Sequence, residues 1–351
     1  YTRAQIDRPV GAVVTAAQQL ELSASTLPEQ QTVLGRVLGS HANVLALTVF
    51  DADETRVPGL QAIAAKDLGA EAIEAHERRA RALFARQSAS FSVPELAAPA
   101  HQATLTFVTP LARSGQGFLD HGDTPAFKGV FESASYVAGS VIDAVNHLLN
   151  GDYEHAFVPI AGLHHARRDR AAGFCVFNDC GIAIEYLKSR GLKQILYVDI
   201  DAHHGDGVYY AFESDPDVIF ADIHESGEHL YPGTGSSTEV GSGPGRGLKL
   251  NIPVKPGADD NDFFHAWQQL EIFVQHFEPQ FILFQCGVDS MDGDPITDLQ
   301  YSSRAHAHAT RSLINIANRC CAGKLLVMGG GGYNHDNIAR GWVSVVKELA
   351  G

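Results

Sequence analysis

The sequence predicts an α/β protein built on a mostly parallel sheet with helices on both faces. Three observations carry that prediction. From about residue 127 onward, short apolar runs alternate with longer segments of helical period. Several short runs are apolar throughout, the pattern of a parallel strand buried on both faces. The side chains suited to chemistry fall at or just past the C-terminal ends of those runs, where open parallel sheets bind ligands.

The elements follow in order. Residues 127–149 place Val130, Ala134, Val137, Val141, Ala144, Val145 and Leu148 at helical spacing. Residues 155–160 read as a strand. Residues 175–189 read as a helix stopped by Gly191. Residues 194–200 form a continuous apolar run, and 218–223 and 248–254 two more, each read as a buried strand. A helix is predicted over 259–277, strands over 281–286 and 325–328, and helices over 302–320 and 336–349. Upstream, residues 61–86 are Ala-rich and helical in pattern, and 44–50 and 103–108 are strand-like. No repeat or low-complexity tract separates these regions, so the chain reads as a single domain over residues 1–351.

Composition excludes several functions. At 351 residues and 45% hydrophobic content the chain can bury a large core. No run approaches the 18 or so apolar residues of a membrane span, and the charged first ten residues show no secretory leader. A net charge of −15, from 41 acidic and 26 basic side chains, argues against nucleic acid as a direct partner. It weakly favours cationic substrates. Five cysteines without close CxxC pairs fit a reduced, cytoplasmic setting. Cys175 and Cys180 have the wrong spacing for a zinc knuckle and read as buried thiols.

The chemistry concentrates in four segments: His164-His165, Asp199-Ile200-Asp201-Ala202-His203-His204-Gly205-Asp206, Gly287-Val288-Asp289, and Gly329-Gly330-Gly331-Gly332-Tyr333. Asp201 and His203 are two apart, so in an extended segment both face the same way. Asp289 enters from the end of another strand. Two carboxylates and an imidazole make a three-ligand centre with room for water and substrate, the requirement for a catalytic rather than a structural zinc. Such an ion acidifies water and polarises a carbonyl. The histidine pair supplies proton transfer near neutral pH. The glycine run lacks the Lys-Ser/Thr that follows a phosphate-binding loop, and reads instead as backbone passing close to a ligand beside Tyr333.

These residues resemble a known family. Gly162-Leu163-His164-His165-Ala166, Gly173-Phe174-Cys175-Val176-Phe177-Asn178-Asp179, the 199–206 segment, Tyr231-Pro232-Gly233-Thr234-Gly235, Gly287-Val288-Asp289, Gly293-Asp294-Pro295 and the 329–333 segment are together similar to the histone deacetylases. The Gly-Leu-His-His-Ala form resembles the class I-like and bacterial acetoin-utilisation branch. The resemblance runs over about residues 117–350, with segments in the same order. The family's His-Pro-Glu-Arg-like N-terminal segment has no counterpart before about residue 115.

The resemblance implies a three-layer αβα arginase/deacetylase fold with an eight-stranded sheet. It implies Zn²⁺, with Fe²⁺ the alternative, on Asp201, His203 and Asp289. His165 would be the general base, oriented by Asp206. His164, oriented by Asp199, would assist the leaving amine, and Tyr333 would donate to the acyl oxygen. Gly173, Phe174 and Tyr231 would wall an acyl-chain channel, with Asp123 at its rim. Asp199, Asp201, His203, Asp222 and Ile223 would hold a structural K⁺. The expected activity is hydrolysis of an N-acyl amide, with acetyl-lysine in a peptide or protein first among substrates and acetylated polyamines second.

Two rivals remain at this point. An arginase-like enzyme needs Asp-Ala-His-x-Asp and a later Asp-x-Asp. Here Gly205 follows Asp201-Ala202-His203-His204, and Asp289-Ser290-Met291 lacks the second carboxylate, so a second metal is short of ligands. A catalytically silent acyl-group sensor on the same fold is expected to have lost a ligand, a histidine or the tyrosine, and all are present.

Overall fold

The computed structural model describes residues 46–50, 56–63, 117–120 and 122–351. The chain divides into two compact units, one of residues 1–135 with 166–177, the other of residues 136–165 with 178–351. The second unit contains a six-stranded parallel sheet. Its strands are β3 (His155–Val158), β4 (Ile195–Asp199), β5 (Val218–Glu225), β6 (Lys249–Val254), β7 (Phe281–Gln285) and β8 (Leu325–Met328). Strands β1 (Ala46–Phe50) and β2 (Arg56–Ile63) form a separate antiparallel pair. The helices are α1 (Val130–Asn150), α2 (Asp179–Ser189), α3 (Asp206–Phe212), α4 (Asp260–Val274), α5 (Ser303–Cys320) and α6 (His335–Ala350).

The spatial order β3-β8-β7-β4-β5-β6 fixes where ligands can bind. From β4 the chain moves outward through β5 and β6, then returns to add β7 on the other side of β4. The crevice beyond the C-terminal ends of β4 and β7 is therefore the topological switch point of the sheet. Parallel register sets Asp199, the last residue of β4, beside Asp222 of β5 and Gln285 of β7. Asp199 and Gln285 thus end two largely apolar buried strands, with Asp222 alongside them in β5, which runs on to Glu225.

Every residue of β4, β5, β7 and β8 is buried, whereas β3 is only partly so, as an edge strand should be. Alternate residues serve opposite faces. Leu196, Val198, Ile219, Ala221, Ile282 and Phe284 join Phe263, Trp267 and Leu270 of α4 and Leu313 and Ile316 of α5 in one core. On the other face, Tyr197 stacks on Phe220 at 5.5 Å, and Cys180 of α2 meets Met328 at 3.8 Å. This is the layered α/β architecture that the apolar runs predict. The resemblance implied eight strands in one sheet; among the described residues that sheet has six.

Local chemistry explains the element boundaries. Helix α2 starts at Asp179, not at 175 as expected, because the Asn178 side chain caps it by accepting from the Gly181 amide at 2.7 Å. Residues 175–177 belong instead to a tight turn in which Ala172 and Cys175 exchange backbone hydrogen bonds. Helix α4 opens on a capping box between Asp259 and Asp262. Helix α3 was not predicted, being too short for a periodic signal. Strand β1 overlaps the strand-like run 44–50. Strand β2 takes residues 61–63 from the expected 61–86 helix; the rest of that segment, and the run 103–108, lie outside the described residues.

Candidate active site and metal centre

Asp201 and His203 follow β4 in a bend, not in the extended segment expected. What brings them together is hydrogen bonding rather than strand alternation. Asp201 Oδ1 accepts from the His203 backbone amide at 3.0 Å and lies 3.0 Å from His203 Nδ1. Asp289, four residues past the end of β7, places Oδ2 3.0 Å from the same Nδ1 and accepts from the Ala202 amide through Oδ1 at 2.9 Å. The three side chains are buried and offer one ligand atom each within 4.8 Å of one another. Two glycines make this space: a Cβ at Gly287 would collide with the Asp201 carboxylate, and one at Gly331 with that of Asp289.

The pocket gathers buried carboxylates. Asp199, Asp201, Asp222 and Asp289 are all at most 1% exposed. Burial, reinforced by Asp201, pushes Asp289 up to about 7, and burial pushes Asp199 up to about 6 against the pull of His164. Buried carboxylates held together in this way are stabilised by a bound ion. Two carboxylate oxygens and an imidazole nitrogen suit a divalent transition ion, and the neighbouring Asp199–Asp222 oxygens suit a hard monovalent one.

The two histidines stand beside the triad, and each is tied to its own carboxylate. His164 Nδ1 donates to Asp199 Oδ2 at 2.7 Å, and His165 Nδ1 to Asp206 Oδ1 at 2.8 Å. Their Nε2 atoms are 3.2 Å apart. Burial works against charge on both rings, but Asp199 and Asp201 outweigh it at His164 and hold it at about 10. Burial and the adjacent His164 push His165 down to about 4. The two neighbours are thus biased in opposite directions, His164 toward its charged form and His165 toward its neutral one. Asp199 Oδ2 also accepts from the Tyr197 hydroxyl at 2.6 Å. The loop carrying the pair is pinned by Asp179, whose Oδ1 accepts from the Gly162 amide at 2.9 Å.

The aromatic candidates sit at the surface of their units. The Tyr231 ring lies 5.0 Å from His165 and 6.4 Å from His203, edge-on to both and 43% exposed. Tyr333, 41% exposed, is anchored by its backbone amide to Asp294 Oδ2 at 2.8 Å, while Gly331 in the same loop donates to Asp201 Oδ2 at 2.8 Å. Asp123, Gly173 and Phe174 belong to the first unit and are held together there. The Gly173 amide donates to Asp123 and the Phe174 amide to Thr124 Oγ1 at 3.1 Å. The hydrogen-bonded partner Asp120 and burial raise Asp123 to about 6. Phe174 has a φ of 64° and stands 51% exposed, an uncommon backbone for an aromatic residue that aims its ring outward.

In the K⁺ set, Asp199, Asp201 and His203 run along the end of β4, and Asp222 and Ile223 lie on adjacent β5. Asp222 Oδ2 accepts from the Gly205 amide at 2.8 Å, and Oδ1 accepts from His224 Nδ1 at 2.8 Å. Sequence reading gave no site role to Tyr197, Asp179 and Gln285: Tyr197 bonds to Asp199, Asp179 accepts from the Gly162 amide, and Gln285 bonds to Asp201 of the triad itself. The available signal was a polar residue closing a buried apolar strand, since a buried amide must find partners.

A layered α/β sheet with an Asp–His–Asp cluster at its switch point defines a protein of the arginase and deacetylase type. The chain belongs to the histone deacetylase family, whose domain matches residues 70–349. An acetoin utilization protein, AcuC, of Bacillus subtilis is 38% identical over 243 residues, 68% of this chain and 63% of its own length. A probable deacetylase of Archaeoglobus fulgidus is 38% identical over 220 residues, 62% and 60% of the two chains. The crystal structure of a histone deacetylase homologue from Aquifex aeolicus superposes with a TM-score of 0.62 at 35% identity, covering 70% of this chain and 64% of that one. The chain thus spans about three fifths of the length of the curated relatives it matches.

Proposed function

We propose that the chain forms one catalytic domain and is a Zn²⁺-dependent deacylase that hydrolyses N-acetyl amides, acetyl-lysine first among them. The observation that supports this most is the pairing of two buried histidines, each on its own carboxylate, beside an Asp–His–Asp triad. A silent acyl-binding module has no need of that proton machinery.

Asp201, His203 and Asp289 would hold the zinc, or Fe²⁺ in its place. When bound, the ion polarises the amide carbonyl and acidifies the attacking water. The chain supplies the rest. His165, kept neutral by burial and by His164, takes the proton of the water through Nε2 while Asp206 fixes its orientation. His164, kept charged by Asp199, gives a proton to the nitrogen as the C–N bond breaks, so the products are a carboxylic acid and a free amine. The Tyr333 hydroxyl donates to the acyl oxygen as it gains negative charge. By the sequence resemblance alone, Phe174, Gly173 and Tyr231 would line the acyl-lysine chain, and Asp123 would hold the substrate backbone at the rim. Asp199, Asp201, His203, Asp222 and Ile223 would hold a structural K⁺.

The substrate is an acylated lysine peptide or protein, with an acetylated polyamine as the alternative. The net charge of −15 speaks against nucleic acid as a direct partner, and no membrane partner is proposed. No described helix is long and apolar enough to cross a membrane. Five free thiols, four of them buried, suit the cytoplasm. The test is amine release from acetyl-lysine peptides, longer acyl-lysine peptides, acetylated polyamines and arginine, with and without chelator. Chelator-sensitive cleavage of an acyl amine is expected. Silence on every amide by a zinc-loaded protein would leave the sensor reading, and urea from arginine would leave an arginase.

A further inference from the structure

We propose that Gln285 is a positioning residue that couples metal retention to the placement of the histidine pair. The inference rests on the reading of Asp201, His203 and Asp289 as the metal ligands, not on the substrate.

Gln285 ends β7 in register with Asp199 of β4 and is fully buried. Its side-chain amide uses both of its polar atoms on functional loops. Nε2 donates to Asp201 Oδ2 at 2.8 Å and to the Gly162 carbonyl at 3.2 Å. Oε1 accepts from the Gly287 amide at 2.8 Å. One group therefore joins three segments that come from separate strand ends. These are the bend holding Asp201, the loop holding His164 and His165, and the loop leading to Asp289. A Cβ at Gly330 would collide with this same amide, so the fourth loop, which carries Tyr333, also closes against it.

The division of labour at Asp201 gives Gln285 its effect. Oδ2 is occupied by Gln285 Nε2 and the Gly331 amide, both at 2.8 Å. Oδ1 is left facing His203 Nδ1. Gln285 thus selects which oxygen of Asp201 turns toward the triad and fixes the plane of the carboxylate. A neutral donor does this without adding to the four buried carboxylates, which a Glu at this position would do. Groups that orient a metal ligand in this way typically change metal affinity about 10–100-fold when removed.

The experiment measures zinc affinity of the full chain by competition with a chromogenic chelator, in parent, Gln285→Met and Gln285→Glu. Gln285→Met keeps the length and loses the amide. Gln285→Glu keeps the acceptor for Gly287 and turns a carboxylate oxygen against Asp201. Both are expected to bind zinc roughly 10–100-fold more weakly, while far-UV circular dichroism stays at the parental signal. At saturating zinc, kcat should fall with KM little changed, because the histidine loop loses its tie at Gly162. Zinc affinity within twofold of the parent in whichever variant is folded would overturn the proposal. A parent inactive on every amide, with variants still impaired in zinc binding, would refute the deacylase reading and leave this one standing. Parent and variants alike binding no zinc would overturn both.

Discussion

At the scale of the residue, the site works by pairing like groups in unlike surroundings. His164 and His165 are neighbours with 3.2 Å between their Nε2 atoms, yet the first is pulled toward the charged form and the second toward the neutral one. The difference comes from how many carboxylates each ring sees. Asp199 and Asp201 both bear on His164, whereas Asp206 stands nearly alone against burial and a charged neighbour at His165. Removing a single group should separate the roles assigned here. Tyr333→Phe is expected to keep one zinc per chain and lose about 10²–10³ in kcat, the usual effect of one oxyanion donor. Wild-type turnover by that variant would remove Tyr333 from the mechanism. Asp201→Ala deletes a ligand and leaves Gln285 Nε2 without its carboxylate partner. Elemental analysis after gel filtration should then find far less than one zinc per chain, and stoichiometric zinc would refute the ligand set.

At the scale of the element, strands deliver and loops aim. Asp199, the last residue of β4, lies beside Asp222 within β5 because the register is parallel and unbroken. The bend after β4 then turns Asp201 and His203 toward Asp289. Lys249 of β6 braces the turn between α3 and β5. Its Nζ donates to the carbonyls of Asp215 at 3.0 Å and Val218 at 2.6 Å from an almost fully buried position. Lys249→Met removes both bonds and leaves buried carbonyls short of a donor, a loss of about 1–3 kcal/mol. Burial lowers the Lys249 ammonium to about 8, against 10.5 for an unperturbed lysine. Between those values the unfolded chain binds more protons at this site than the folded one, so the lysine's contribution to stability rises with pH from about 8 to about 10.5. Chemical denaturation of parent and variant across that range should show the gap between them widening as pH rises. A gap that is absent, or narrows, would contradict this account of Lys249.

At the scale of the whole molecule, the fold concentrates negative charge where it is least tolerable without an ion. Four carboxylates lie within the sheet's switch point, and their mutual repulsion is what a bound cation relieves. On the proposed zinc reading, metal binding would therefore be linked to global stability. An ion at 100 times its dissociation constant adds about 2.7 kcal/mol. Chelator should lower the melting temperature by several degrees, and added zinc should restore it; a midpoint indifferent to both would argue against a metal centre in the folded chain. The charge of −15 compounds the effect through self-repulsion, so moderate salt should narrow the difference between the two forms.

The sequence by itself determined the α/β class, the five helices and six strands from residue 127 onward, and the grouping of Asp201, His203 and Asp289, and it offered the histidine pair and Tyr333 as candidates. These are legible because buried parallel strands are written as unbroken apolar runs, and ligands collect at their ends. Val218 and Leu325 begin strands where the pattern says they should. Helix α3 was invisible because seven residues hold too few turns for a period to emerge. The start of α2 was misread because a single cap, Asn178, outweighed the apolar pattern ahead of it. The geometry at Asp201 was reached for the wrong reason, since a bend stabilised by the aspartate's own hydrogen bonds replaced the expected alternation. Only the tertiary structure decided the strand order that makes β4 and β7 neighbours, and with it the convergence of residues 88 positions apart on one buried nitrogen. It alone decided that Gln285, an unremarked polar residue at the end of an apolar run, ties three loops together. A side chain's partners across a sheet depend on register and crossover, which no local pattern records, whereas its burial and its period are properties of the chain in sequence.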